Sequence, residues 1–548
     1  MASPTASQKY LSTRGGSYGF TFEATVLKGL ASDNGLFIPE EIPTPPAGWQ
    51  ETWKTLSFQD LAYEIFSLYI SSDEIPASDL RELITRSYST FRHEDITPLN
   101  TIIPDENFHV LELFHGPTFA FKDVALQFLG NLFEYFLIRK NKDVKEGEGK
   151  RHHLTVIGAT SGDTGSAAIY GLRGKKDVSV FILHPKGRVS PIQEAQMTTV
   201  LAKNVHNLSV VGTFDDCQDV VKALFSHPEL SKSHNLGAVN SINWARILAQ
   251  IVYYFHSYFT LLRRLPAGSV PIIRYVVPTG NFGDVLAGYY AKKMGLPIDK
   301  LVIATNENDI LDRFFRTSRY EKHPVSPEEE GGEGGLAAEG VKATLSPAMD
   351  ILVSSNFERL LWYLAYEVET PNATNKDQKR AQAGSVLNEW MTSLKKTGTT
   401  VVSEDVLNAA KRDFTSERVS DEQTVQTIRH IFTTPPSAPY ILDPHSAVGV
   451  AASLRLIKAP QTAGQENVHH ISLSTAHPAK FNHAVDLALT GVSGGEGVGE
   501  YDFEKMVRPQ EFLGLEAREK RVRGVERADV ELIRQAIIEG LEKEGAGE

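Results

Sequence analysis

Leu111-Glu-Leu-Phe-His-Gly-Pro-Thr-Phe-Ala-Phe-Lys-Asp-Val-Ala-Leu-Gln-Phe-Leu-Gly130 changes character halfway along. The first half is an apolar run broken at Gly116-Pro117, which reads as a strand end and a turn. The second half is helical. Val124, Phe128 and Leu132 recur every fourth residue, and Ala125, Leu129 and Phe133 form the adjoining stripe. A helix that apolar on adjoining stripes is packed on most sides. Yet Lys122 falls in its first turn, beside Asp123. An ammonium there would lie near the positive end of the helix dipole and partly out of water, and both effects favour the neutral amine. A neutral amine is what a Schiff-base lysine must offer. The plainer reading is a lysine snorkelling out of a helix start.

Outward from this stretch, strands and helices alternate. Residues 154–157, 178–183, 208–211, 272–277 and 301–304 read as strands. Residues 163–172, 189–201, 218–225 and 284–294 read as helices, and 242–262 as a long amphipathic helix. The pattern resumes with strands at 440–442 and 471–473. Such alternation implies an α/β fold, with parallel sheets covered by helices on both faces. Residues 1–95 read as a separate, mostly helical unit, with Phe22, Val26 and Leu30 on one helix face and further helices at 61–70 and 80–88. Within the catalytic span 96–515, residues 323–340 are Glu/Gly-rich and read as a mobile loop, and 372–430 as a helical insertion. Residues 516–548 read as a charged surface helix.

A chain of 548 residues is too long for one core. Its net charge of −12 argues against nucleic acid as a partner. No apolar run is long enough to span a bilayer, and residues 1–8 carry no apolar leader pattern. The single cysteine, Cys217, cannot form an internal disulfide, so a cytoplasmic location is expected. No metal site is assigned.

Three further turns carry candidate chemistry. In Ile157-Gly-Ala-Thr-Ser-Gly-Asp-Thr-Gly-Ser-Ala-Ala168 a strand meets a glycine-bearing turn that opens a helix. Free amides at a helix start suit a carboxylate or phosphate, and Thr160, Ser161 and Thr164 add hydroxyls. Neither the dinucleotide fingerprint nor the P-loop matches. Val276-Val-Pro-Thr-Gly-Asn-Phe-Gly-Asp-Val-Leu-Ala287 repeats the arrangement with no lysine or arginine inside the turn. Backbone amides would carry the anion there, as around a permanently held phosphate. In Ile471-Ser-Leu-Ser-Thr-Ala-His-Pro-Ala-Lys-Phe481 a strand ends in hydroxyls, and Ser474 or Thr475 could bond a heterocycle nitrogen. His477 and Lys480 read as structural.

Phe114-His-Gly-Pro-Thr-Phe-Ala-Phe-Lys-Asp, Ala159-Thr-Ser-Gly-Asp-Thr-Gly, Gly280-Asn-Phe-Gly-Asp and Ser474-Thr-Ala-His-Pro-Ala-Lys-Phe occur in this order, with Tyr10-Leu-Ser-Thr-Arg-Gly-Gly and Gly35-Leu-Phe-Ile-Pro before them. Together they resemble the threonine synthase family, in its longer, fungal-like type. The resemblance implies a fold-type-II, tryptophan-synthase β-like enzyme using pyridoxal 5'-phosphate, with Lys122 as the Schiff-base lysine. It places Gly280, Asn281, Phe282, Gly283 and Asp284 around the cofactor phosphate and Thr475 near the ring nitrogen. It places Ser161, Gly162, Asp163 and Thr164 at the substrate carboxylate, with Asp163 and Asp284 orienting their loops. The substrate implied is O-phospho-L-homoserine, converted with water to L-threonine and phosphate by a monomer or homodimer. Arg14, Lys186, Arg188, Asn240, Asn243 and Arg246 are the candidates for the substrate phosphate. A related phospho-lyase releasing 2-oxobutyrate, and a non-catalytic binding protein on the same fold, are the competing readings.

Overall fold

The structure is a computed structural model that describes residues 8–144, 151–227, 235–237, 239–322, 340–434, 439–459, 467–494 and 499–545. The loop expected over 323–340 therefore lies, but for Gly340, outside the described residues.

The strand Val178–Pro185 is largely apolar, with Val178, Val180 and Ile182 β-branched, and it is buried at every position. That is the pattern of a strand covered on both faces. It sits at the centre of a parallel five-stranded sheet in the order Arg523–Val525, Val205–Val210, Val178–Pro185, Leu154–Ala159, Leu236–Gly237. A six-stranded sheet has the order Phe414–Arg418, Ile298–Thr305, Ile272–Pro278, Val468–Ser474, Phe108–Glu112, Leu99–Ile103. The Leu99–Ile103 edge is antiparallel to its neighbour and the other strands are parallel.

Helices bind the two sheets together. The Lys122–Lys140 helix packs on the Asp163–Leu172 helix of the five-stranded unit and on the Trp244–Arg264 helix, which packs in turn on Gly283–Met294 of the six-stranded unit. The first crossing is backbone against backbone. A Cβ on Gly130 would stand 2.0 Å from the carbonyl oxygen of Gly171, and one on Gly171 would stand 2.5 Å from that of Leu126. Glycine at both positions is what lets the helices touch.

The expected strands within the α/β core at 154–157, 178–183, 208–211, 272–277, 301–304 and 471–473 are present, most with longer bounds. Six expectations change. The N-terminal region does not have a separate core: Phe66 stacks on Phe128 at 4.5 Å, Tyr10 and Tyr69 pack on Trp244, and these residues belong to one apolar cluster with the catalytic unit. Leu30 lies beyond the Phe22–Lys28 helix and is exposed. Residues 440–442 form no strand; they lead into the Pro444–Ile457 helix, whose N-cap is Asp443. The region 372–430 is not only helical, because its Phe414–Arg418 strand closes one edge of the large sheet. The tail is not merely a surface helix either. Arg523–Val525 adds an edge strand, and the Val530–Glu544 helix buries Ile533, Ala536, Ile537 and Leu541. Finally, Trp244–Arg264 is buried on every side from Trp244 to Leu261. Its polar residues Arg246, Gln250 and Tyr253 face inward.

Candidate active site

The functional turns all leave the carboxyl ends of strands. Residues 113–121 follow Phe108–Glu112, Thr160 follows Leu154–Ala159, Thr279 follows Ile272–Pro278, and Thr475 follows Val468–Ser474. Ligands of open parallel sheets bind at such ends. Here strands of two sheets converge on one cavity of about 210 Å³, lined among others by Lys122, Ser161, Asp163, Thr164, Gly280, Asn281, Phe282, Gly283, Asp284 and Thr475.

Lys122 is the first residue of its helix. The turn before it is held tightly. Thr118 donates its N–H and hydroxyl to Asp123 at 2.7 and 2.8 Å. A Cβ on Gly116 would meet the Cβ of Asp123 at 2.3 Å, so only glycine fits there. Phe119 adopts a positive φ of 60°, a strained value for a bulky residue that persists only where surroundings enforce it. Its ring is held by Arg92 at 3.8 Å and by His477 and Phe512. The 474–477 segment docks alongside through backbone bonds: Leu113 to Ser474, Phe121 to Thr475, and His477 to Phe119. That docking sets Thr475 beside Lys122. Ser474 is the less available hydroxyl, since its Oγ lies 2.9 Å from that of Ser446.

The Lys122 amine is buried. Burial drives its pKa down, the nearby Asp163 opposes the fall, Lys480 and Arg246 add to it, and the value comes to about 8. Asp163 does not cap its loop. Its Oδ2 lies 3.9 Å from the Lys122 amine, while its Oδ1 lies 2.6 Å from the amine of Lys480 and accepts from Gln193 at 2.9 Å. Burial would raise this carboxyl, but Lys480, Lys122 and His445 outweigh it and hold Asp163 well below the usual carboxylate range. Lys480 is thus part of the site's charge balance as well as of its scaffold. The loop itself is tied by Thr160, whose Oγ1 accepts from the N–H of Gly162 and Gly165. Ser161 and Thr164 line the cavity with it.

The second turn is gripped from behind. Ser354 donates to the Gly280 carbonyl at 2.6 Å, and Asn356 donates its N–H and side-chain amide to that of Asn281, each at 3.0 Å. Phe282 sits at φ 63°, its ring locked against Phe357. These bonds take the carbonyls and leave the start of the Gly283–Met294 helix facing the cavity. Asp284 turns inward, where Tyr253 and Tyr254 donate to its Oδ1 and its Oδ2 has no hydrogen-bond partner. Burial raises this carboxyl to about 6, against the pull of the two tyrosines and Lys122.

Of the six candidates for a substrate phosphate, Asn240 and Arg246 line the cavity. Arg246 is buried, donates one bond at 3.0 Å to the Val239 carbonyl, and leaves its Nε unpartnered. Arg14 pairs with Glu358 at 2.9 Å, Lys186 and Arg188 are exposed and do not line the cavity, and Asn243 caps its helix and bonds the Val26 carbonyl. His445 also lines the cavity and was not found from sequence. Its Nε2 accepts from the Ala348 N–H at 3.1 Å and its Nδ1 lies 3.0 Å from Asp443, so it pins the 347–351 segment against the site. The only local signal was Asp443-Pro-His as a helix start.

A buried lysine with its pKa lowered to about 8, an amide-lined turn without cations, the neutral hydroxyl of Thr475 in the same cavity and the buried cation Arg246 fit a phosphorylated aldehyde cofactor. Fold and site together define a fold-type-II, pyridoxal-phosphate-dependent enzyme. The model of pyridoxal-phosphate-dependent enzymes matches residues 93–356, and those of the threonine synthase N terminus and C-terminal region match 9–88 and 446–537. A threonine synthase of Schizosaccharomyces pombe is 56% identical over 540 residues, covering 98% of this chain and 99% of that one. The crystal structure of threonine synthase from yeast superposes with a TM-score of 0.88 at 55% identity, over 98% of this chain and 100% of that one. The pyridoxal-phosphate-bound threonine synthase from Brucella melitensis gives 0.80 at 37% identity, over 97% and 99%. The chain belongs to the threonine synthase family of pyridoxal-phosphate-dependent lyases.

Proposed function

We propose that this chain converts O-phospho-L-homoserine and water to L-threonine and phosphate, with Lys122 holding the cofactor aldehyde. The observation that carries the reading is one buried amine, with a pKa near 8, set between two amide-lined turns. Gly280, Asn281, Phe282, Gly283 and Asp284 would hold the cofactor phosphate through backbone N–H groups, and Thr475 would meet the ring nitrogen. A neutral hydroxyl there leaves that nitrogen largely unprotonated. When bound, the cofactor supplies an electron sink for charge at the substrate Cα.

The chain's own groups do the rest. Lys122, once its amine is released, is placed to take the proton from Cα and to move protons at Cβ. Ser161, Gly162 and Thr164, with the N–H of Asp163, orient the substrate carboxylate at a helix start. The Asp163 side chain is already engaged by Lys480 and Gln193. Arg246, with Asn240, would hold the departing phosphate, because it is a buried cation among the residues that line the cavity. His445 pins the 347–351 segment against the cavity through the Ala348 N–H. A cytoplasmic location is supported by the single cysteine, Cys217, which is free and buried and forms no internal disulfide. Sedimentation of the purified chain decides between monomer and homodimer.

Incubation with O-phospho-L-homoserine, followed by identification of the amino-acid product, tests the proposal. Threonine is expected, and 2-oxobutyrate as main product would replace the reading with that of a phospho-lyase. Lys122→Ala is expected to lose roughly 10²–10⁴-fold or more in kcat.

A further inference from the structure

We propose that Lys480 is a positioning residue for the reaction at Lys122: it takes the carboxylate of Asp163, the acid nearest the reactive amine, and leaves that amine without a hydrogen-bonded counter-ion. The inference rests on reading Lys122 as the lysine that holds the cofactor.

The site contains two buried lysines and one shared carboxylate. Lys480 is fully buried, with its amine 2.6 Å from Asp163 Oδ1 and donating to the Thr118 carbonyl at 2.9 Å. Lys122 stands 3.9 Å from Oδ2, beyond hydrogen-bond length. An interior ion pair needs short contact and further hydrogen bonds to offset the loss of water. The Asp163–Lys480 pair has both, since Gln193 donates to the same carboxylate oxygen and Ser190 holds the Gln193 amide at 2.9 Å. The Asp163–Lys122 contact has neither.

The other charged groups around Lys122 do not replace Asp163. Asp123, on the same helix, is engaged by the Thr118 N–H and hydroxyl. Asp284, from the Gly283–Met294 helix, accepts from Tyr253 and Tyr254 through Oδ1, and its buried Oδ2, without a hydrogen-bond partner, does not bond Lys122 either. Arg246, from the Trp244–Arg264 helix, adds positive charge, and His445, from the Pro444–Ile457 helix, is bound to Asp443 and to the Ala348 N–H. Lys480 therefore acts twice. It holds the available carboxylate away from Lys122, and it places a second positive charge near that amine. Without it, Asp163 would be free to close on Lys122 and fasten it in the ammonium form.

The test uses the full-length chain freed of cofactor and measures acylation of Lys122 by acetic anhydride against pH, read by peptide mass spectrometry. Lys480→Met is expected to raise the pH midpoint of labelling by about one unit or more, the range produced by an opposite charge brought within ~4–6 Å. The acid limb of kcat/KM for the holoenzyme moves in the same direction. Lys480→Arg, which keeps a cation on Asp163, leaves the midpoint at or below that of the unaltered chain. A folded Lys480→Met chain with an unmoved midpoint and activity reduced equally at every pH would overturn the proposal. Should the methionine variant not fold, the arginine variant decides, and a midpoint raised by a full unit refutes the idea. Borohydride reduction and peptide mapping of the holoenzyme report separately whether Lys122 is the cofactor lysine.

Discussion

Lys122 and Asp284 show how burial sets chemistry one residue at a time. Burial and neighbouring cations bring the lysine from 10.5 to about 8. Its neutral fraction thus grows about fivefold between pH 7 and pH 8 and levels above that, and kcat/KM is expected to follow on its acid side. Stability is linked with a definite sign. The folded value lies below the ordinary one, so between about 8 and 10.5 the unfolded chain binds the extra proton and stability rises with pH across that window. Asp284 is the opposite case. Its folded value is raised from 3.8 to about 6, so the stabilising acid form is present at low pH and lost as pH rises through the folded value. Asp284→Asn keeps an oxygen for the two tyrosines and carries no charge. It is expected to be about 2–3 kcal/mol more stable than the unaltered apoprotein at pH 8 and no different near pH 3.5, measured by urea unfolding. Gly162 sits at φ 143°, and a Cβ there would stand 2.5 Å from the Gln193 amide. Gly162→Ala is expected to displace Gln193 from Asp163 and to raise KM more than it lowers kcat, which steady-state kinetics would show.

At the scale of elements, two helices explain why the site is rigid. The Lys122–Lys140 helix touches Asp163–Leu172 through Gly130 and Gly171, so Lys122 and Asp163 ride on a close backbone crossing. Alanine at 130 gains about 1 kcal/mol in helix propensity, but overlap against backbone costs about 1–3 kcal/mol or more. The overlap wins because the opposing atom is a carbonyl and not a flexible side chain. Gly130→Ala is expected to lower the unfolding midpoint and to weaken cofactor retention, read by urea denaturation and absorbance. Both glycines look like ordinary helix interruptions in the sequence. The Trp244–Arg264 helix makes the converse point. Its amphipathic pattern suggests a wet face, yet it is buried throughout to Leu261. Its polar stripe faces the cavity, with Arg246 and Gln250 in the lining and Tyr253 on Asp284. An internal polar cavity and bulk water demand the same residue types, so periodicity alone cannot tell them apart.

For the whole molecule, the pieces that read as appendages complete its sheets. The Phe414–Arg418 strand closes one edge of the large sheet, and Arg523–Val525 closes one edge of the small sheet. Beyond it the Val530–Glu544 helix packs its apolar side into a cluster with Phe181, Val210, Cys217, Val220 and Leu224. Ending the chain at residue 518 would bare that cluster and an unpaired edge, which invites aggregation. The shortened chain is expected to be poorly soluble and to react at Cys217 with a thiol reagent, whereas the full-length chain, in which Cys217 is fully buried, is expected not to react.

The sequence by itself determined the alternation of strand and helix, and with it the parallel sheets, because those periods are local properties of a chain. It also marked the four turns that meet at the cavity, because glycine, proline and a lysine at a helix start have meaning at short range. The tertiary structure alone decided that the N-terminal helices share the catalytic core, and that Arg246 and Asn240, not Arg14 or Lys186, reach the cavity. It alone decided that Lys480 holds Asp163 across more than three hundred residues of chain. The physical reason is one of distance. Which charges face each other depends on how sheets stack and helices cross, and burial then multiplies the effect of each ångström between them.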